Sequence, residues 1–300
     1  MFSSTIGAPL ARAVRSGLQG PLGWYLAVSL LVVPGCDNTG KESLARASEH
    51  SHALVELAKQ DVAEVRSGLP LGAQELAKRW ASEGVDLTSD AEAARAALNH
   101  ARNKVQDLRV AKSTFFALAG LDGRTIRNDR EQDLMAGTAL FKAFPDLARA
   151  VGGGYVEALG VLPEAHGVKG KPDGEWVAAQ GIRIGDQVRG LYVTGWAWSS
   201  YAYRLEFSLR SKINGELQGA RTNVPLLYAF VIVGSDVYSA PESPEVNARS
   251  IAERQPLKNI TSAGTYAALF DITGRTFALG VELAPDLGEG VALGVLRSET

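Results

Sequence analysis

The stretch Phe115-Phe116-Ala117-Leu118-Ala119-Gly120-Leu121-Asp122-Gly123-Arg124-Thr125-Ile126-Arg127-Asn128 is where the hydrophobic period of this 300-residue chain changes. A short apolar run rich in aromatics meets Asp-Gly, a hairpin signal, and a second short run follows. Upstream the spacing is helical: Leu54, Leu57, Ala58, Val62 and Val65 recur at intervals of three and four and form one apolar stripe. Gly68-Leu69-Pro70 reads as the stop of that helix, and a shorter one over 73–83 presents Leu76, Ala77 and Trp80. Ser89-Asp90-Ala91-Glu92 has the spacing of a capping box, with Ser89 and Glu92 as its partners. The helix it opens runs to 112, carrying Ala94, Leu98, Ala101, Val105 and Leu108 on one side. Residues 44–113 therefore read as a helical stalk.

Downstream, 131–151 returns to helical spacing, and Gly152-Gly153-Gly154 ends it. Three strands are expected at 155–162, 175–184 and 187–198, the last two joined by Gly185-Asp186. Residues 199–219 read as a linking helix. The same order then recurs: an apolar run at 226–234, a turn at Ser235-Asp236, a short strand, a helix around 246–253, and strands at 265–272, 275–283 and 290–296. The fold class expected is α+β, with N-terminal helices followed by two antiparallel sheet modules, 114–198 and 224–300, joined by the helix in 199–223.

The first 35 residues differ from the rest. Arg12 and Arg15 precede an uncharged run, Trp24 to Val33, whose ten residues would extend only about 15 Å as a helix against a hydrocarbon core of about 30 Å. A basic start followed by a short apolar run is the form of a secretory signal peptide. Leu31-Val32-Val33-Pro34-Gly35-Cys36 resembles the lipobox of bacterial lipoproteins, with Pro34 a departure from its usual small or aliphatic residue. The resemblance implies that Cys36 is acylated and begins the mature chain, with 36–43 a polar tether. It also implies membrane lipid as a partner and the bacterial cell envelope, on the periplasmic side of the inner or outer membrane, as the location. More than one acyl chain makes such an anchor stable.

Composition narrows the function classes. The formal charge of −2 leaves no basic excess to neutralise phosphates, so nucleic acid is not an expected partner. A single Cys allows no internal disulfide and no CxxC pair. No nucleophile elbow, HExxH or dinucleotide glycine motif is present, so the chain does not read as an enzyme and calls for no cofactor. Gly167-Val168-Lys169-Gly170-Lys171-Pro172 lacks the spacing of a phosphate loop and reads as a connection. His50 and His52, two apart on a helix, point about 200° apart and cannot clamp one metal.

A five-stranded antiparallel sheet with helices inserted after the second strand, preceded by a long helix and occurring twice, resembles the PAS-like extracellular Cache sensors in their double form. The residues that carry the resemblance are 115–151, with Asp122-Gly123, the polar break at Asn128-Asp129, Leu134-Met135-Ala136-Gly137 and Phe144-Pro145. Trp176 to Arg183 and Gly190 to Val193 resemble the later sheet strands. The second copy is the weaker match. The resemblance implies a small-molecule ligand and a membrane-bound signalling or envelope partner. The Arg-Trp-Tyr cluster by which some of these sensors take amino acids is not evident.

Strand alternation puts Trp176, Ala178, Gln180 and Ile182 on one face, and Tyr192, Thr194, Trp196 and Trp198 on a face of the next strand. If those faces look toward the helical insert, Trp176, Gln180, Tyr192, Thr194 and Trp196 line a ligand pocket of aromatic walls and few polar groups. Arg183 and Arg189 fall at other positions and read as solvent-exposed. The expectation is a lipid-anchored accessory sensor that binds a small molecule. The alternative is a structural or assembly lipoprotein that acts through protein contacts without a ligand.

Overall fold

A computed structural model describes residues 36–83, 86–111, 113–163, 172–217 and 224–298. The expected signal peptide at 1–35 and the 167–171 part of the glycine-lysine connection lie outside the described residues.

One helix, α1 (Cys36–Glu83), runs for 48 residues, about 70 Å at 1.5 Å per residue. It buries Ala47, Leu54, Ala58, Val62, Val65, Leu69, Ala73 and Leu76 along one stripe. Two expectations are corrected here. Residues 36–43, read as a polar tether, form its first turns, and the helix continues through Pro70. Proline inside a helix costs about 3 kcal/mol and removes one backbone donor. Packing on both sides of the proline offsets this cost. Leu69 is fully buried, while Gly68 and Gly72 let neighbouring side chains meet the helix backbone. A Cβ on Gly72 would lie 2.6 Å from both Leu108 and Tyr192. These glycines act as contact points for the layer beneath, so the local stop signal is overridden.

Helices α2 (Ala91–Lys104) and α3 (Gln106–Val110) follow, separated where Val105 adopts an extended conformation. The cap of α2 is Asp90, whose carboxylate accepts the N–H groups of Glu92 and Ala93; the expected Ser89–Glu92 box does not form. An Asp at that position satisfies two orphan donors by itself.

The first sheet comprises β1 (Phe115–Ala119), β2 (Thr125–Asn128), β3 (Tyr155–Leu162), β4 (Asp173–Ile184) and β5 (Gln187–Ala197), in the order β2-β1-β5-β4-β3. At the first hairpin Gly123 has φ +77°, and any Cβ there would strike the ring of Phe141. Between β2 and β3 the expected helix over 131–151 is reduced to α4 (Leu140–Ala143) and a 3-10 turn, Pro145–Gly152. Residues 129–139 are irregular because the Asp133 carboxylate takes the N–H groups of Met135 and Ala136, offering the backbone an alternative to a helix.

Helix α5 (Trp198–Glu216) leads to the second sheet, built from β6 (Leu226–Val233), β7 (Asp236–Ser239), β8 (Thr265–Ile272), β9 (Arg275–Leu283) and β10 (Val291–Ser298). Its order, β7-β6-β10-β9-β8, repeats that of the first, with α6 (Glu245–Glu253) inserted after its second strand. All neighbouring strands in both sheets pair antiparallel.

Among the described residues the apolar interior falls into three parts. One continuous core follows α1 and takes residues from both sheets, from Phe116, Trp176 and Tyr192 to Ala229, Leu293 and Val295. The other two lie on the far side of each sheet, under its inserted segment. Early in α1, a Cβ on Gly280 of β9 would lie 2.5 Å from the Ala47 backbone; later in the helix, Trp80 reaches Gly190 of β5. A single side chain, Arg66, ties the helix to both halves. Its guanidinium makes a paired contact with Glu157 of β3 at 2.7 and 3.0 Å, and another with Asp286 at 3.0 Å.

Candidate ligand-binding site

The aromatic residues expected to line a pocket sit on the opposite face of the sheet from the insert. Trp176, Tyr192 and Trp196 are 0–1% exposed and belong to the core along α1 and α2. Trp176 and Trp196 stack with ring centroids 4.5 Å apart, and Tyr201 of α5 extends the stack, 5.1 Å from Trp196. Tyr192 stacks on Phe116 at 5.8 Å. Thr194, also fully buried, donates its hydroxyl to the Phe115 carbonyl across the strand pair at 2.7 Å. Gln180 is half-buried and donates its amide to the Gly153 carbonyl at 2.7 Å. The insert-facing side of β4 and β5 carries Val177, Ala179, Leu191 and Val193 instead. Alternation identifies two faces of a strand but not which one a helix will cover, and both faces of these central strands are apolar.

This aromatic block is a joint between elements. The Tyr201 hydroxyl donates to Asp61 of α1 at 3.0 Å, and Arg204 pairs with the same carboxylate while lying over the Tyr201 ring. Burial, reinforced by the Asp61 charge, pushes the Tyr201 hydroxyl well above its usual pKa, so it stays a donor. Burial does the same to Tyr192, followed by the charge of Asp129.

A cavity of about 380 Å³ opens on the insert side, at the edge of the first sheet. Its apolar part is Phe115, Leu134 and Met135, and its polar part includes Asn128, Arg130 and Gln132. Ser200, in the first turn of α5, closes one side. The walls are held by short-range chemistry. Asp129 accepts the Phe116 N–H at 3.0 Å and the Arg102 guanidinium at 3.0 Å, while its own N–H donates to the Phe116 carbonyl at 2.8 Å. Asn128 accepts the Arg130 N–H at 2.9 Å, which turns the chain back over the sheet. Arg127, 5% exposed, pairs with Asp133 at 3.3 Å beneath the same loop.

Arg130 donates one N–H to the Thr114 carbonyl at 2.6 Å, and no carboxylate among the described residues lies within ion-pair distance of it. A guanidinium has five donors, so most of this one is free to meet a ligand beside an apolar floor. The sequence signal for these residues is the polar run 128–133 after a strand, of which Asn128-Asp129 reads as a break and 131–133 as the start of a helix. Its role depends on Asp129 and Asp133 folding it back, which composition alone does not reveal.

Among the described residues no three His, Cys, Asp or Glu side chains gather to hold an ion. His52 bonds Glu282 of β9 at 2.9 Å and His50 faces Arg297 of β10, so both belong to the seam between α1 and the second sheet. Nor is any helix among the described residues long and apolar enough to cross a membrane.

No family model and no curated protein matches the sequence. Solved structures do match in shape. An extracellular domain assigned to the histidine kinase vpHK1S-Z8 superposes with a TM-score of 0.54 at 11% identity, covering 87% of this chain and 91% of that one. A domain assigned to a sensory box/GGDEF family protein from Vibrio parahaemolyticus gives 0.53 at 11% identity, over 88% and 97% of the two chains. Methyl-accepting chemotaxis protein X gives 0.51 at 11% identity, over 88% and 100%. A long N-terminal helix followed by two five-stranded antiparallel sheets is the Cache/PAS-like sensor fold of these neighbours.

Proposed function

We propose that this protein is an extracytoplasmic sensor body that binds a small molecule beside Arg130, is held at a membrane by lipid on Cys36, and reports to a membrane-bound partner. The observation that carries the reading is the cavity at the sheet edge, where an unpaired guanidinium and the Asn128 amide stand over Phe115 and Met135. Its contact with Ser200 gives a bound molecule a direct route to α5, the element between the two sheets. A thermal-shift screen against a metabolite library tests it. A ligand at 100 times its Kd adds about 2.7 kcal/mol to stability, and Arg130→Ala is expected to cancel that gain while leaving the unliganded midpoint nearly unchanged. A library without a stabilising member, or one in which every stabilising member keeps its shift in Arg130→Ala, rejects the Arg130 cavity as the sensor site. For the anchor, Cys36→Ser is expected to move the protein from the membrane fraction to the soluble one; continued membrane fractionation rejects lipid attachment.

A second reading, a structural or assembly lipoprotein working through protein contacts, is favoured by Tyr203 and Phe207. These two lie one turn apart on α5 and are 50% and 62% exposed. Tyr203→Ser with Phe207→Ser would abolish partner capture in that case and leave small-molecule binding intact.

A further inference from the structure

We infer a second binding site, for a small molecule carrying a carboxylate or phosphate and a hydroxyl, in the cleft between α1 and the β4–β5 hairpin, with Arg183 as the anion-binding residue. The cleft encloses about 360 Å³. One wall is Pro70, Ala73 and Gln74 of α1; the other is Gln180, Gly181 and Arg183 of β4. It is closed by Gly153 at the end of the inserted segment and shares no lining residue with the Arg130 cavity.

The state of Arg183 is the central observation. Its guanidinium donates to the Gly152 carbonyl at 3.0 Å and the Asp186 carbonyl at 3.3 Å, and no carboxylate among the described residues lies within ion-pair distance. Main-chain oxygens therefore fix its plane without cancelling its charge, and three of its five N–H groups remain. The backbone is shaped for this placement. Gly153 has φ +92°, and a Cβ there would lie 2.3 Å from the Arg183 Nη2. Arg66, one helical turn before Pro70 on the same helix, has the opposite condition, with its charge taken up by Glu157 and Asp286. Two arginines near one cleft thus divide between a structural tie and an open cation.

The polar groups around Arg183 define the rest of the ligand. Gln180 directs its amide nitrogen to the Gly153 and Gly181 carbonyls at 2.7 and 3.3 Å, which leaves its Oε1 as an acceptor. The Gln74 side chain, exposed on the α1 wall, has no hydrogen-bond partner among the described residues and supplies a further amide. An anion for Arg183 and a hydroxyl for these acceptors together describe a hydroxy acid or a sugar phosphate of few atoms.

Titration of the full-length protein with L-malate, glycerol 3-phosphate and glycerol, followed by unfolding midpoint and calorimetry, tests the site and separates its two oxyanion sources. At least one of the two anions is expected to bind saturably, and glycerol is not. Charge-assisted hydrogen bonds of this kind account for about a ten-fold or greater loss of affinity in Arg183→Gln. Gln74→Trp, which fills the cleft from an exposed position, is expected to weaken the same ligand, and Arg130→Gln to leave it unaffected. Absence of binding by both anions overturns the inference, as does binding that survives both cleft variants. A response lost in Arg130→Gln but kept in Arg183→Gln would also overturn it and would assign the anion to the other cavity, leaving the proposed function standing.

Discussion

The two sheets have the same strand order and share one core along α1, yet their far sides differ. Under the first, the chain after β2 is polar and irregular, pinned by Asp129 and Asp133 and opening beside Arg130. Under the second, the inserted segment is a nine-residue helix, and the nearby cavity of about 390 Å³ is lined by Ile232, Val237, Pro256 and Leu257. Gln255 at its rim takes a left-handed conformation with φ 46°, uncommon for a residue with a side chain. Both sheets pack against α1, and their far sides differ in character: the first presents a charged, irregular segment there, the second a mainly apolar cavity with Gln255 and Lys258 among its lining.

The largest expected effect breaks this division if it fails. Trp196→Ala removes the centre of a fully buried stack and is expected to destabilise the protein by about 3–5 kcal/mol in chemical denaturation. An unchanged denaturation midpoint would show that the α1 face of the first sheet is not a core. A smaller effect sharpens the contrast between the far sides. Asp129→Ala deletes a buried charged acceptor and leaves the Phe116 N–H unpaired, a loss of about 1.5–3 kcal/mol. Hydrogen exchange should rise in 115–136 and stay unchanged in β6–β10; a uniform rise would mean that the two modules do not open separately.

Much of the architecture is legible in the sequence because strand alternation and turn chemistry are local. The expected 155–162 strand coincides with β3, and Asp122-Gly123 turns where a hairpin signal should. The misread places are those where a distant contact decides. Pro70 stays helical because Leu108 and Tyr192 pack against the glycines beside it, and these residues are 36 or more positions away. The aromatic pair follows the same rule: Trp176 and Trp196 have the composition of a pocket wall, but they are buried in the core along α1. Arg130 and Arg183 look alike in sequence to any solvated arginine, and only the carbonyls that hold them set them apart.

The smallest effect concerns pH, at the seam between α1 and the second sheet. Burial, then the neighbouring Arg297 charge, holds the His50 pKa below its usual value. As pH falls below about 6.5 the unfolded chain takes up a proton there that the folded chain resists, so this residue lowers stability in acid. His52 has the opposite sign. Its hydrogen bond to Glu282 raises its pKa, so its contribution is complete at low pH and fades as pH rises through the folded value. His50→Gln should therefore flatten the acid loss of stability between pH 7 and 5, and His52→Gln should steepen it. Equal profiles for both variants would remove the seam as a source of pH dependence in the second module.

The first turns of α1 have a mechanical consequence. Four residues after Cys36 the helix already runs beside β8: a Cβ on Gly40 would lie 3.2 Å from the Leu269 side chain. A body fastened at residue 36 would have almost no slack: its second sheet would stand at a set height and tilt over the bilayer, and a displacement of the rod would reach both sheets at once.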